Sequence, residues 1–294
     1  MVNITKIVPC PNRSYAQILD IHIMAWYNLF VENAAHRVLR YGGTLTEQLT
    51  ETKDTGLDRV SIKYIAIAAM LIDHTAHFFL PHGEDAPFLM SALYFIMRFI
   101  GRITGPVMIF FLVEGFIHTS SKQKYGIRLL LFGLISQIPY ALSHYDKLLV
   151  LDFNVIITLA MIFLMLTASE RISDHTLNTV AVFAIIMITF CCDWGVLGPF
   201  MAWIFYRCRE DRRMQIRMYS VLCAVQVASS VMFLAKNGYS WYGELWQTGV
   251  FLVVPILNIY NGKRGSGSAV NKWIFYIIYP LHLLIIWLIK YKIR

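Results

Sequence analysis

Apolar residues follow one another along this chain in long runs that short polar connections separate. A helix needs roughly 17 to 25 such residues to cross a bilayer. Runs that meet or approach this length lie at residues 61–80, 92–118, 127–142, 153–169, 177–192, 194–206, 216–236, 245–260 and 273–290. The pattern predicts an all-α, polytopic transmembrane helical bundle with about nine spans, and the short run at 194–206 is typical of a half-crossing packed against protein.

The first 60 residues have a different pattern. Apolar side chains recur there at helical spacing until Gly42 and Gly43 end the pattern; they are Leu19, Ile23, Trp26, Phe30, Ala34 and Val38. This spacing predicts an N-terminal amphipathic helix, which either lies on the inner membrane surface or packs on the cytoplasmic side of the bundle. We therefore divide the chain into a cytoplasmic helix and linker at 1–60 and a transmembrane domain at 61–294.

Composition agrees with a membrane location. The 294 residues are 57% hydrophobic and only 15% charged, far more apolar than an ordinary soluble domain. The net charge of +8 raises the question of a nucleic-acid partner. Basic connections that face the cytoplasm explain this charge more simply, so we expect a lipid bilayer around the chain and no nucleic acid.

The distribution of basic residues predicts the orientation of the chain. If the N-terminus is cytoplasmic, the inner connections carry fourteen Lys and Arg residues, and the outer connections carry only Lys147 and Lys236. Basic residues accumulate on the cytoplasmic side of membrane proteins. One conflict remains in this scheme, because nine crossings place the basic tail KYKIR outside.

One predicted span contains ionisable residues that are costly to place in a membrane. Asp73, His74 and His77 lie in the run 61–80, at helical spacings that direct all three toward one sector. By depth, further polar residues belong to the same outer layer: Arg98, Arg102, Asn154, Asp193 and His282. Intramembrane ionisable groups usually face a partner or a water-filled cavity, so we treat this layer as a candidate site.

His74 is the candidate general base of this layer. A neighbouring carboxylate can orient an imidazole and stabilise its charged form, as a base for an amine or hydroxyl acceptor requires. Adjacent residues on a helix point about 100° apart, however, so Asp73 can instead pair with an arginine of the second span. Both pairings remain open at this point.

The arginines at 98 and 102 have two compatible interpretations. They are counter-charges of Asp73, or they stabilise a developing oxyanion or an anionic substrate group. His77 and Asp193 lie further toward the outer side, where we expect them to contact the substrate. Metal binding by the histidines has no supporting motif, so we expect no metal.

A second polar layer lies toward the cytoplasmic side. It comprises Lys122, Lys124, Arg128, Asn261, Lys263 and Arg264, the last three within the glycine-bearing turn YNGKRG. Bases beside exposed backbone N–H groups suit an anionic phosphate ligand. The alternative is that these bases only fix the topology of the chain.

Several segments in a fixed order resemble the TraX family, integral-membrane proteins associated with acetylation of conjugative pilin. They are LDRVSIKYIAIAAMLIDHTAHFF, MRFIGRITGPVMIFFLVEGFIHT, KYGIRLLLFGLISQIPYAL, FNVIITLA, DWGVLG, YNGKRG and FYIIYPLHLL, within residues 57–290. The family is similar in outline to multi-spanning acetyltransferases such as heparan-α-glucosaminide N-acetyltransferase. The resemblance places Asp73, His74, Arg102, Asn154 and His282 on family motif positions.

The resemblance implies a transmembrane O- or N-acetyltransferase of the bacterial plasma membrane. Acetyl-CoA would be the cytoplasmic acyl donor, held by the inner basic layer, and His74 would be the base. The acceptor would be extracytoplasmic: a glycan, a cell-surface polymer or a protein amine. Two other functions fit the residues, a proton-coupled small-molecule transporter and a non-catalytic membrane assembly protein.

Overall fold

The computed structural model describes residues 56–83, 86–240 and 242–293. Within these ranges the chain is helical, and its only β-type pairings are isolated bridges, Leu57 with Tyr260 and Phe153 with Cys192. The all-α prediction is confirmed. The predicted N-terminal amphipathic helix lies outside the described residues.

The helices follow one another with short connections. In order they are α1 (Arg59–Phe79), α2 (Phe88–Gly101), α3 (Thr104–His118), α4 (Lys122–Tyr145), α5 (Val155–Arg171), α6 (His175–Thr189), α7 (Leu197–Arg207), α8 (Arg212–Lys236), a 3-10 helix (Leu245–Leu252), α9 (Val253–Ile259) and α10 (Ala269–Ile293).

Polar side chains set where several helices begin. The carboxylate of Asp58 accepts a hydrogen bond from the backbone N–H of Ser61, at 2.8 Å, in front of α1. Ser121, Asn154, Asp174 and Asp211 cap α4, α5, α6 and α8 in the same way. Each cap satisfies a backbone donor that the first helical turn leaves without a partner.

Four helical stretches are long and apolar enough to cross a membrane: Phe88–His118, Lys122–Tyr145, Arg212–Lys236 and Trp273–Lys292. The predicted count of nine spans is therefore not confirmed. The helix α7, in the predicted half-crossing, has only 11 residues.

Large apolar side chains such as Leu131, Leu134, Ile138 and Leu288 are exposed on the outside of the bundle. Such a surface is stable in hydrocarbon and unfavourable in water, so the chain is an integral-membrane protein.

The predicted span at 92–118 is interrupted between α2 and α3. α2 ends at Gly101, and α3 begins two residues before Pro106, whose ring removes a backbone donor from the first turn. A Cβ atom at Gly101 would overlap the side chain of Asp73, and one at Gly105 would overlap the ring of Trp194. The two glycines therefore allow the segment between α2 and α3 to pack directly against the side chains of Asp73 and Trp194.

The predicted span at 245–260 also divides, into the 3-10 helix and α9. The 3-10 helix packs against α2, where a Cβ atom at Gly249 would overlap the backbone carbonyl of Phe99. α3 forms the centre of the bundle, with nine of its 15 residues buried. It packs against α1, α5 and α7, and α4 packs against α5 and α10.

Candidate functional site

A chamber of about 960 Å³ lies between the helices. Its walls come from α1, α2, α3, α4, α5, α8, α10, the connection between α6 and α7, and the 3-10 helix with the segment before it. They include Ala66, Asp73, His74, Arg98, Arg102, His144, Trp194, Trp246 and Phe275. Most of the predicted outer polar layer therefore converges on one space. We use "chamber" for this cavity below.

Asp73 binds both arginines of the predicted layer. Arg98 Nη1 donates to Asp73 Oδ2 at 2.7 Å, and Arg102 Nη2 donates to both carboxylate oxygens at 3.0 Å. Asp73 is only 6% exposed, so the pair is largely removed from solvent. This geometry decides the question that the sequence left open. The carboxylate of Asp73 orients the two arginines, and it does not orient the imidazole of His74.

Two tryptophans fix the arginine side chains from the other side. The ring of Trp246 lies 4.4 Å from the Arg98 guanidinium and 4.7 Å from that of Arg102, and Trp194 lies 5.5 Å from Arg102. Trp194 has a positive φ of 64°, and its backbone N–H donates to the Asp193 carboxylate at 3.0 Å. Cation–π contact favours this arrangement. The predicted substrate residue Asp193 thus lines the chamber and also positions Trp194.

His74 binds His282 on α10. His74 Nδ1 and His282 Nε2 are 2.6 Å apart, and the ring planes differ by only 5°. The ring centroids are 4.8 Å apart, much further than the two nitrogens, so the rings lie end to end rather than face to face. His282 is 5% exposed, and its Nδ1 lies 2.9 Å from the carbonyl oxygen of Ile278.

The carbonyl of Ile278 fixes the tautomers of both neutral rings. A carbonyl oxygen only accepts, so His282 Nδ1 carries the hydrogen and His282 Nε2 has a free lone pair. His74 Nδ1 must then donate to it, which leaves the lone pair of His74 on Nε2. This nitrogen has no hydrogen-bond partner in the described residues and is not among the fully buried polar atoms. Because His74 lines the chamber, Nε2 can accept a hydrogen bond from a molecule bound there.

Two further histidines lie beside His74. His144, from the last turn of α4, has its ring centroid 6.3 Å from that of His74 and 5.8 Å from that of His77. The sequence analysis did not select His144; a histidine near the end of a predicted span was the available signal. His77 lines the chamber, and its Nδ1 is buried without a partner in the described residues.

Asn154 lies behind the chamber wall as the N-cap of α5. Its side-chain oxygen accepts from the N–H groups of Ile156 and Ile157, and its Nδ2 donates to Gly133 and to Gln137. These bonds use both donors and both lone pairs of the amide. The predicted catalytic residue therefore connects α4 to α5, and it is 0% exposed.

The predicted phosphate-binding residues do not converge on one place. Lys122 pairs with Glu170 and lines a separate groove of about 440 Å³ between α4 and α5. Asn261 Nδ2 donates to the carbonyl of Gly56 and its Oδ1 accepts from the N–H of Lys263, both at 2.8 Å, so it joins its turn to the start of α1. Lys124, Lys263 and Arg264 are exposed, and Arg128 is half-buried beside Tyr125.

The fold and the chamber define a class of protein: an all-helical integral-membrane protein that encloses a histidine–arginine site. Within this class the chain belongs to the TraX protein family, which it matches over residues 58–290. It is also 32% identical over 232 residues to the probable fimbrial assembly protein FimC, serogroup H1, of Dichelobacter nodosus. That match covers 76% of this chain and 91% of the relative. No solved structure matches.

Proposed function

We propose that this chain is a transmembrane acetyltransferase that moves an acetyl group from cytoplasmic acetyl-CoA to an extracytoplasmic acceptor. The observation that carries the proposal is the chain of hydrogen bonds from Ile278 through His282 to His74, which leaves a basic nitrogen at the chamber. Membership of the TraX family and the adjacent Arg98 and Arg102 give independent support.

The proposed reaction uses His74 first as a base and then as an acid. His74 Nε2 takes the proton of the acceptor amine or hydroxyl as that group attacks the thioester carbonyl. A C–N or C–O bond forms, the C–S bond breaks, and the CoA thiolate receives the proton from His74. Protonated His74 makes a charge-assisted bond to His282, which stabilises the intermediate state.

In the proposed reaction, Arg98 and Arg102 stabilise the negative charge of the tetrahedral intermediate. Each guanidinium carries five N–H donors, and Asp73 occupies only part of them. The tryptophan contacts hold both groups in place before the reaction, which is the condition for efficient electrostatic stabilisation.

We propose a fimbrial subunit amine as the acceptor. The relative in Dichelobacter nodosus is named as a probable fimbrial assembly protein, and this name favours a fimbrial subunit among the protein amines that could accept the acetyl group. Aromatic side chains at the outer part of the chamber, among them Tyr94, Tyr242 and Trp246, also suit the apolar faces of sugar rings. A carbohydrate acceptor is therefore the second arm of the assay.

The test is acetyl transfer in proteoliposomes with labelled acetyl-CoA on one side and acceptor on the other. The wild-type chain should label the acceptor, and His74→Ala should abolish labelling. His118→Ala is the matched control, because His118 is an exposed histidine at the end of α3, outside the chamber. Equal turnover of the wild type and His74→Ala would refute the assignment of the base.

The name of the relative also favours a different function, that of a non-catalytic assembly protein. A cell-based assay separates the two. If His74→Ala restores normal, unacetylated fimbriae in a strain that lacks this protein, assembly does not depend on catalysis. If only the wild type restores them, the enzymatic function is favoured.

A further inference from the structure

A group of basic side chains lies at the end of the bundle that carries the basic connections. We define the inner basic cluster as Arg59, Lys63, Arg128 and Arg212. Arg59 is the first residue of α1, and Lys63 lies one turn further along it. Arg128 comes from α4, and Arg212 is the first residue of α8. Three of these four residues were not selected by the sequence analysis.

Aromatic rings hold these side chains in place. The ring of Phe111 lies 5.7 Å from the Arg59 guanidinium and 6.0 Å from Lys63 Nζ. Phe275 lies 4.8 Å from the same Lys63 amine. Tyr125 lies 5.6 Å from the Arg128 guanidinium and is within electrostatic range of Arg59. Tyr260, whose ring lies 5.4 Å from that of Phe111, is 5.7 Å from the Arg212 guanidinium. Arg59 therefore lies close to each of the other three basic groups.

The inner basic cluster has fewer acidic partners than basic side chains among the described residues. In the described residues the cluster forms one ion pair, from Arg59 Nη2 to Glu114 Oε2 at 3.7 Å. The Nε atoms of Arg59 and Arg128 are buried and have no hydrogen-bond partner there. A buried donor without an acceptor is costly, and an anionic ligand would supply the acceptors.

The cluster lies just beyond the floor of the chamber. Ala66 and Phe275 both line the chamber, Lys63 precedes Ala66 by one helical turn, and Lys63 contacts Phe275. Along α1, the eleven residues from Lys63 to His74 span about 16 Å. This distance is comparable to the length of an extended pantetheine arm.

We infer that the inner basic cluster binds the phosphate groups of the acyl donor, and that the uncharged thiol arm enters the chamber past Lys63 and Phe275. The inference rests on the proposed function, since it assigns the donor site of the same reaction. The phosphates would neutralise the excess positive charge and accept hydrogen bonds from the buried Nε atoms. The thioester would then reach the level of His74 from below.

The test compares the affinities of the purified full-length chain for CoA and for pantetheine, which has the arm without the phosphates. Lys63→Met and Arg128→Gln should each weaken CoA binding by about tenfold, the loss of one charge-assisted contact. Neither substitution should alter the weaker binding of pantetheine. Lys63→Met keeps the unbranched stem that packs on Phe111 and Phe275.

Arg213→Gln and Arg217→Gln are the matched controls, because both residues are exposed on α8 close to Arg212. They remove the same charge at the same end of the bundle and should leave CoA binding unchanged. If the wild type binds CoA and both cluster variants bind it equally well, the inference is wrong and the proposed function stands. If the wild type does not bind acetyl-CoA, the proposed function fails and the inference with it.

A phospholipid headgroup has the same phosphate chemistry, so the lipid source needs its own measurement. Mass spectrometry of the purified wild type and of Lys63→Met shows whether either retains anionic lipid. Loss of a retained lipid in the variant, with unchanged CoA affinity, would assign the cluster to a headgroup and overturn the inference. Equal lipid content with weakened CoA binding would support it.

Discussion

Replacement of His282 tests the central feature of the site, the hydrogen bond that fixes the tautomer of His74. In His282→Ala, His74 Nδ1–H loses the acceptor that lies 2.6 Å away. Water replaces this acceptor poorly, because the position of His282 is largely buried, with 5% of the residue exposed. His74 can then adopt the other tautomer, with the hydrogen on Nε2, in which it is no longer a base toward the chamber.

The size of the effect follows from the strength of that bond. In the proposed intermediate His74 is positively charged, and hydrogen bonds to charged groups contribute about 1.5–3 kcal/mol. His282→Ala removes this stabilisation from the charged intermediate and not from the resting enzyme, so turnover should fall roughly 10- to 150-fold. The affinity for acetyl-CoA should change little, because His282 lies thirteen residues, about 20 Å of helical rise, beyond the start of α10 at Ala269. Its hydrogen-bond partners are His74 and the backbone carbonyl of Ile278.

The assay is the steady-state rate of acetyl transfer across pH in proteoliposomes, with a second variant as a conservative rescue. His282→Gln places an amide oxygen near the position of Nε2 and can accept the same hydrogen bond, so it should retain more activity than His282→Ala. Equal turnover in the wild type and His282→Ala, with an unchanged pH profile, would refute the reasoning. If His282→Ala and His282→Gln lose the same amount of activity, turnover does not depend on a hydrogen-bond acceptor for His74 Nδ1–H at this position.

Three further predictions concern the surroundings of the arginines. Asp73→Asn leaves Arg98 and Arg102 without a buried counter-charge and should lower the free energy of unfolding by about 3–5 kcal/mol, measured by denaturation in detergent. Gly101→Ala would overlap the Asp73 side chain and should lower that free energy by about 1–3 kcal/mol; an unchanged value would contradict the observed packing. Burial raises the pKa of the Glu244 carboxyl in the outer connection, so its contribution to stability is present in acid and is lost as the pH rises through that pKa. Glu244→Gln should therefore raise the melting temperature at neutral pH, and the difference should shrink as the pH falls toward 4.

Much of the candidate site was visible in the sequence. Asp73, His74 and His77 stood out because charged and imidazole groups are rare in an apolar run of this length. Arg98 and Arg102 were selected for the same reason, and the structure brings all five to the chamber. This part of the prediction depended on local composition and helical spacing alone.

The partners of these residues were not visible. His74 and His282 are 208 positions apart, and nothing in the local pattern of either helix indicates the other. Trp194 and Trp246 carry no signal either, because interfacial tryptophans are common in membrane proteins. The phosphate-binding prediction selected exposed bases such as Lys124. Arg59 and Lys63 were among the fourteen inner basic residues and served only to predict the orientation of the chain.

By itself, the sequence determined that the chain is helical and resides in a membrane, and that α1 carries a polar site. These properties follow from hydrophobicity and spacing within single segments, which are local quantities. The number of spans was not determined, since an apolar run has the same composition whether it faces lipid or packs inside the bundle. Only the tertiary structure decided that Asp73 holds the arginines while His74 pairs with His282. The physical reason is that adjacent residues on a helix point about 100° apart, so each takes the partner that a different neighbouring helix presents.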